Sequence, residues 1–242
     1  MKDHLVDPLV SILFPVNCIG CNSIVESRTL GAACRSCWES GKLYDGSGTF
    51  CTKCGDFLNE DHTDRIVHCG QCTELRFDLA RAAGAYEGGL APTVINLKRF
   101  PVLPHRAARM LHRVAENLEI EPSALVIPVP LSKQRMIERG FNQAAVIGHA
   151  IARHLGLQLD QHSLERIRHT AAHRAGMDKK ARVATVEKAF RVVRPKLIAK
   201  RSIILVDDVL TSGSTASECA FELKNKGASR VNVLTLARAA FR

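Results

Sequence analysis

The stretch that decides the fold of the larger part of this chain is Ile203–Thr215, which reads IILVDDVLTSGST. Four apolar residues, Ile203–Val206, predict a buried strand, and the carboxylates of Asp207 and Asp208 follow at its carboxyl end. The small polar segment Thr211–Thr215 then opens a helix. Because ligands of parallel α/β sheets bind beyond the carboxyl ends of the strands, this stretch predicts a binding site at that edge.

Each part of this stretch suits one part of a ribose 5-phosphate. A turn of small residues at a helix N-terminus offers backbone N–H groups and hydroxyls to a phosphate, and the helix dipole assists. Two adjacent carboxylates suit the vicinal hydroxyls of a sugar, directly or through a metal ion. We therefore expect Asp207 and Asp208 to contact the sugar. The phosphate would be held by Thr211, Ser212, Gly213, Ser214 and Thr215.

Other nucleotide-binding patterns do not fit the stretch. Four apolar residues before two acids also occur in a Walker B strand, but the chain has no G-x4-G-K-[ST] loop, and Gly41-Lys42 lacks both its context and its hydroxyl. A G-x-G-x-x-G fingerprint is absent too, which argues against a dinucleotide site. The sequence leaves open that Asp207 and Asp208 only cap a loop.

Strands and helices alternate through the region around this stretch. The predicted strands are Leu125–Val129, Ser202–Val206 and Val231–Leu236, and the predicted helices are Leu90–Leu97, Arg106–Leu118, Asn142–Leu155 and Thr215–Lys226. Gly227 is expected just after the last helix, at its C′ position. Such alternation predicts an α/β fold with a mainly parallel sheet and helices on both faces.

Cysteines dominate the first part of the chain. Eight of the nine lie before residue 73 in four C-x-x-C pairs, and Cys219 stands apart. Two such pairs supply the four thiolates of a tetrahedral Zn²⁺ site, and four protein ligands leave no position for water, so the zinc would be structural. The predicted ligands are Cys18, Cys21, Cys34 and Cys37, and Cys51, Cys54, Cys69 and Cys72. A cross-brace, in which the first C-x-x-C pair joins the third and the second joins the fourth, uses the same ligands, so the pairing stays open.

Two alternatives to zinc are weaker. We find no secretory signal, which argues against a disulfide framework, and redox-active C-x-x-C motifs occur singly rather than fourfold. Since cysteines fill both sites, His62 and His68 are expected on the surface. We expect Cys219, inside the last helix, to be a buried small hydrophobic residue.

Composition limits the class of protein. The chain has 242 residues, 46% of them hydrophobic and 24% charged, which excludes wholesale disorder and a fibrous protein. The apolar stretch Leu9–Phe14, within an amphipathic segment from Asp7, is too short to cross a bilayer, so we expect a cytoplasmic protein without membrane insertion. The formal charge is +10, or about +6 with two zinc ions on eight thiolates, which is compatible with phosphate-bearing partners. A change of composition near residue 76 predicts two domains, 1–76 and 77–242.

Three further strings extend the argument to a family. Ile203–Thr215 resembles the phosphoribosyl-pyrophosphate (PRPP) signature of type I phosphoribosyltransferases at all thirteen positions. The whole chain resembles the ComF family of competence proteins, in which a double zinc ribbon precedes a phosphoribosyltransferase-like domain. The resemblance includes FPVNCIGC at Phe14–Cys21, PVPLSKQRMIERGFNQ at Pro128–Gln143 and VNVLTLAR at Val231–Arg238.

The resemblance implies roles for particular residues. Asp207 and Asp208 would contact the ribose hydroxyls and Thr211–Thr215 would surround the 5-phosphate. Pro130–Arg135 would form the pyrophosphate loop, with Lys133 and Arg135 and a Mg²⁺ ion neutralising the leaving group. If the protein is catalytic, displacement at the anomeric carbon of ribose is the implied reaction.

Other segments have weaker implied roles. Arg166–Arg182 would form a mobile basic hood over the site, or only a solvated basic loop. Within Arg139–Gln143, Asn142 is expected to cap the following helix, and Lys98 matches a lysine of the family. The chain departs from the family pattern at His173 and Thr185, where Gln and Asn are frequent in the family.

The resemblance also implies a biological role. Family members handle incoming single-stranded DNA during natural transformation, and a competence helicase is an expected partner beside PRPP. The alternatives are a phosphoribosyltransferase of nucleotide salvage and a non-catalytic zinc-ribbon adaptor that binds DNA. Trp38, Tyr44 and Phe50 are candidates for base stacking, although each also suits the core of a small domain. The sequence leaves the acceptor of the ribosyl group and the oligomeric state open.

Overall fold

The computed structural model describes residues 13–44, 49–58, 69–70, 72–168 and 188–239. Three sets of predictions lie outside the described residues. They are the larger part of the N-terminal amphipathic segment, the histidines at positions 62 and 68, and the hood beyond residue 168 with positions 173 and 185.

A five-stranded sheet forms the centre of the molecule, with the strand order β1-β7-β6-β2-β3. Every neighbouring pair in it is parallel. A separate antiparallel hairpin pairs β4 with β5. The strands are β1 Leu79–Ala85, β2 Leu125–Pro128, β3 Gln158–Leu159, β4 Leu164–Arg166, β5 Phe190–Val192, β6 Ser202–Leu210 and β7 Arg230–Arg238. The predicted parallel α/β fold is confirmed.

The helices agree with the predicted positions to within two residues wherever one was predicted. They are α1 Arg35–Ser40, α2 Leu90–Leu97, α3 His105–Glu116, α4 Lys133–Arg139, α5 Gln143–Leu155, α6 Pro195–Ile198 and α7 Ser214–Asn225. Asn142 caps α5 as expected, because its side chain accepts a hydrogen bond from the backbone N–H of Ala144 at 3.0 Å. Within the described ranges, no helix is both long and apolar enough to cross a bilayer.

Two elements differ from the sequence-based expectation. Strand β6 does not end at Val206 but continues to Leu210, because β7 runs on beside it to Arg238 and the parallel ladder continues. Strand β1, LARAAGA, was not predicted, since alanine and glycine have low strand propensity. It forms because its backbone pairs with β7 on one side and with Leu43 on the other.

Two hydrophobic clusters cover the two faces of the sheet. Side chains alternate between the faces along β6, so Ile204 and Val206 pack with α2, α3 and α5, while Ile203 and Leu205 pack with α7. Residues Cys18–Trp38 of the cysteine region contribute to the first cluster, and Cys51–Phe77 contribute to the second. The cysteine region is therefore packed onto both faces of the sheet, and the boundary at residue 76 stays a prediction.

Candidate functional site: two cysteine clusters and the carboxyl edge of the sheet

The eight cysteines form two four-sulfur clusters in sequential order. One contains Cys18, Cys21, Cys34 and Cys37, the other Cys51, Cys54, Cys69 and Cys72, and all four sulfurs of each cluster lie within 4.8 Å of one another. This grouping decides between the two pairings that the sequence left open. The chain forms two successive ribbons, and the cross-brace is not formed.

The sulfur positions fit zinc. Sulfur–sulfur distances are 3.5 and 3.6 Å in the first cluster and 3.4 and 3.5 Å in the second. Four sulfurs at about 2.3 Å from a tetrahedral Zn²⁺ are about 3.8 Å apart. Although burial raises it, hydrogen bonds from the backbone N–H groups of Cys54 and Cys69 lower the pKa of Cys51 to about 6. Zinc bound there would supply a structural cross-link.

The first ribbon rests on α2 through a tryptophan. Trp38 is 1% exposed, and its indole N–H donates to the carbonyl of Leu30 at 3.0 Å. The indole lies so close to Gly89, at the start of α2, that an added Cβ would come within 2.3 Å of it. Trp38 is therefore a core residue, as the alternative interpretation of the sequence held, and not a stacking platform.

A glycine in the left-handed conformation shapes the loop Thr211–Ser214, called the phosphate loop after its predicted ligand. Gly213 has φ +75° and precedes α7, and the hydroxyls of Ser212 and Ser214 lie 2.9 Å apart in the buried part of the loop. The first turn of α7, which has twelve residues, contains no acidic side chain. The loop thus combines hydroxyls, the N–H groups of the first helical turn and the positive end of the helix dipole.

Of the two acids in the second half of β6, Asp208 contacts polar groups from distant parts of the chain. Lys98, just after α2, has its Nζ 3.5 Å from Oδ2 of Asp208. Gln143 at the start of α5 donates to the same oxygen at 3.5 Å. Burial, followed by the neighbouring charge of Asp208, raises the pKa of the half-buried Asp207 well above its usual value. A cation or a hydrogen-bonding ligand that reached this pair would favour its charged form.

The predicted pyrophosphate-binding cations lie in a helix instead of a loop. Lys133 and Arg135 belong to the first turn of α4, and Ser132 caps this helix by accepting from the N–H of Arg135 at 3.3 Å. Burial, followed by the charge of Arg135, lowers the pKa of Arg166, while the carboxylate of Asp207 opposes this. Arg135, Arg166 and Asp207 are therefore electrostatic neighbours.

A cavity of about 590 Å³ lies between α4 and the β4–β5 hairpin. Its basic lining residues are Lys133, Arg166, Arg168 and Arg191, and Glu165 is the acidic one. The cavity therefore has an excess of positive charge suited to an anionic ligand.

Comparison with known proteins agrees with this arrangement. A family model described as a double zinc ribbon domain matches residues 9–73. Competence protein F of Haemophilus influenzae is 29% identical over 238 residues, which cover 93% of this chain and 98% of the relative. DNA utilization protein YhgH of Shigella flexneri is 30% identical over 200 residues, covering 78% of this chain and 84% of the relative. The chain belongs to the ComF family of competence proteins.

Among solved structures, glutamine PRPP amidotransferase of B. subtilis aligns with a TM-score of 0.39 and 14% identity, over 59% of this chain and 30% of that one. Because this similarity is low, the strand order and the site geometry of this ComF family chain are taken from its own structure alone.

Sequence reasoning missed three residues of this ComF family site. The sequence marks Gln143 only as part of a family string and Arg238 only as the end of the string VNVLTLAR, and no pattern in it marks Asp56. The one signal in the sequence was the arginine in VNVLTLAR, since a charged residue at the end of an otherwise apolar or small polar strand is unusual.

Proposed function

We propose that this protein binds PRPP together with Mg²⁺ at the carboxyl edge of the sheet, and that it serves the handling of single-stranded DNA. The observation that carries the PRPP part is the phosphate loop at the start of α7, next to two carboxylates and flanked by cations. Asp207 and Asp208 would bind the ribose hydroxyls, and carboxylate oxygens are also ligands that Mg²⁺ accepts. Lys133, Arg135 and Arg166 would face the pyrophosphate.

A non-catalytic zinc-ribbon adaptor, the alternative function, would not need to bind PRPP. Measuring PRPP binding therefore separates the two functions. Calorimetric titration of PRPP with Mg²⁺ compares the zinc-loaded wild type with Asp207→Asn/Asp208→Asn. Losing two hydrogen bonds to charged groups, at about 1.5–3 kcal/mol each, should weaken binding by about 100-fold or more. Removing two negative charges would by itself strengthen anion binding, so a loss points to specific contacts.

A charge-matched control separates these effects. Glu119→Gln/Glu121→Gln removes two carboxylates from an exposed loop and should leave PRPP binding unchanged or slightly stronger. Equal affinity of the wild type and the double aspartate variant would refute the assignment. Release of pyrophosphate on addition of one particular base would instead favour a salvage transferase.

A basic groove supports the DNA part of the proposal. Arg106, Arg109 and Arg113 lie on one side of α3 and, with Leu43 of the cysteine region, line a cavity of about 370 Å³. No ion pair involves these three arginines in the part of the chain that the structure describes. Arginines without carboxylate partners favour a ligand that brings its own negative charge, such as a phosphodiester chain.

Salt dependence tests this surface. Fluorescence anisotropy with labelled oligo-dT, measured at several salt concentrations, compares the wild type with Arg109→Gln/Arg113→Gln. Each lost phosphate contact should reduce the slope of log K against log salt by about 0.7. The control Arg194→Gln/Lys196→Gln removes the same charge from exposed positions near α6. Equal slopes for both variants would show that the groove on α3 is not the DNA site.

A further inference from the structure

A buried arginine joins the second ribbon to the phosphate loop. Arg238 ends β7 and is 1% exposed. On one side its Nη1 donates to the carbonyls of Thr211 at 2.7 Å and Leu210 at 3.3 Å. On the other side its Nε lies 3.6 Å from Oδ1 of Asp56, and its Nη2 lies 3.8 Å from the sulfur of Cys54. One guanidinium group thus contacts both a metal-ligating cysteine and the first residue of the loop.

Electrostatics explains why a charge is tolerated there. A buried guanidinium group is unfavourable unless it is paired, and Asp56 supplies one negative charge. Four thiolates around Zn²⁺ would carry a formal charge of −2, which would add to the attraction from Asp56. Zinc would hold Cys54 in a fixed position beside Arg238. Loss of zinc would release that side of the guanidinium group and leave its hydrogen bonds to Leu210 and Thr211.

A second set of contacts links the same two regions. An added Cβ on Gly213 would meet the side chain of Leu75 at 2.9 Å, so the loop lies directly on that residue. The N–H of Arg76 donates to the hydroxyl of Ser217 in α7 at 3.1 Å. Lys53, between two zinc ligands, donates to the carbonyl of Leu75 at 2.6 Å. Leu75 and Arg76, which follow the second cluster, therefore pack directly against the phosphate loop and the start of α7.

The first ribbon provides an internal comparison. It packs on the opposite face of the sheet, where Trp38 contacts the start of α2 and Gly20 lies beside Pro92. The first ribbon thus has the same four-cysteine ligands as the second, but it contacts α2 and not the phosphate loop.

From these contacts we infer that Arg238 is a positioning residue for the phosphate loop, and that it couples zinc binding at the second cluster to sugar-phosphate binding at the loop. The inference rests on the proposed PRPP site. Coupling between two ligands is reciprocal. PRPP must therefore raise the equilibrium affinity of the second cluster for zinc by the same factor by which zinc at that cluster raises the affinity for PRPP. Couplings of this kind are typically about 5- to 150-fold.

Thiol alkylation measures the coupling in the intact protein. Zinc-loaded protein is treated with N-ethylmaleimide, with or without PRPP and Mg²⁺, and peptide mass spectrometry follows each cluster with time. PRPP should slow alkylation of the second cluster at least 5-fold and leave the first cluster unchanged. In Arg238→Met, or in Arg238→Lys if the first variant does not fold, that protection should disappear. If calorimetry shows that the wild type binds PRPP, equal protection of both clusters, or of neither, would overturn the coupling.

Two carboxylate-to-amide variants test the same link from the ribbon side. Asp56→Asn removes the ion pair of Arg238 but leaves its hydrogen bond to Thr211, and it should weaken PRPP binding at least 5-fold. Glu26→Gln is the matched change in the first ribbon, where Glu26 accepts from the N–H of Arg35 at 2.9 Å, and it should bind PRPP like the wild type. Equal PRPP affinity of both variants would contradict the role of Arg238.

Failure of the proposed function has a different signature. If the wild type binds no PRPP, the proposed function falls and the coupling to PRPP falls with it, and hydrogen exchange then decides whether Arg238 positions the loop. Amides of residues 210–217 should exchange faster in Asp56→Asn than in Glu26→Gln if Arg238 positions the loop. Identical exchange in the two variants would overturn the inference.

Discussion

Replacing Gly213 by alanine tests how firmly the second ribbon supports the phosphate loop. Gly213 has φ +75°, and the new Cβ would lie 2.9 Å from Cδ1 of Leu75. The left-handed conformation costs an alanine about 1 kcal/mol, and crowding in a packed interior costs about 1–3 kcal/mol more. We therefore expect Gly213→Ala to lower the free energy of unfolding by about 2–4 kcal/mol in urea denaturation, and to weaken PRPP binding because the loop N–H groups shift.

Gly156→Ala is the matched control. Gly156 has φ +66° with nothing within 4 Å of its added Cβ, so only the backbone cost of about 1 kcal/mol should appear. The double variant Gly213→Ala/Leu75→Ala removes the crowding, and a double-mutant cycle should give a coupling energy of about 1 kcal/mol or more. Equal destabilisation by the two alanine substitutions, with no coupling to Leu75, would refute the idea that the ribbon supports the loop.

Three further predictions concern other parts of the fold. In Gly89→Ala the added Cβ would come within 2.3 Å of Trp38, so urea denaturation should show a loss of about 2–4 kcal/mol, and a value below about 1 kcal/mol would contradict this packing. Burial, followed by the charge of His154, lowers the pKa of His112. The folded protein therefore keeps this imidazole neutral, and the stability that His112 contributes is present above about pH 6.5 and is lost as the pH falls below that value. His112→Phe should therefore lose less stability than the wild type between about pH 7 and pH 5, and parallel pH profiles would contradict the assignment. Cys219 is fully buried and burial raises its pKa, so N-ethylmaleimide should label it only after urea unfolds the protein, as peptide mass spectrometry would show.

The parts of the site predicted correctly from sequence are those made by residues close together in the chain. Each C-x-x-C pair presents its two sulfurs within one tight turn, so the ligands could be named from spacing alone. The strand, loop and helix of Ile203–Thr215 were predicted for the same reason. The extension of β6 beyond Val206 was not, because it depends on pairing with β7. The roles of Asp207 and Asp208 in ligand binding stay predictions.

Sequence by itself therefore determined the parallel α/β class, the eight zinc-ligand candidates and the polar loop at the end of a buried strand, since hydrophobic periodicity and ligand spacing are local properties. Tertiary structure alone decided which cysteine pairs form a cluster and that Lys98 and Gln143 meet Asp208. It also brought Asp56 to Arg238, far along the chain. These contacts form because the sheet and its two hydrophobic faces bring distant segments to one edge, and no local pattern specifies which distant residues will meet there.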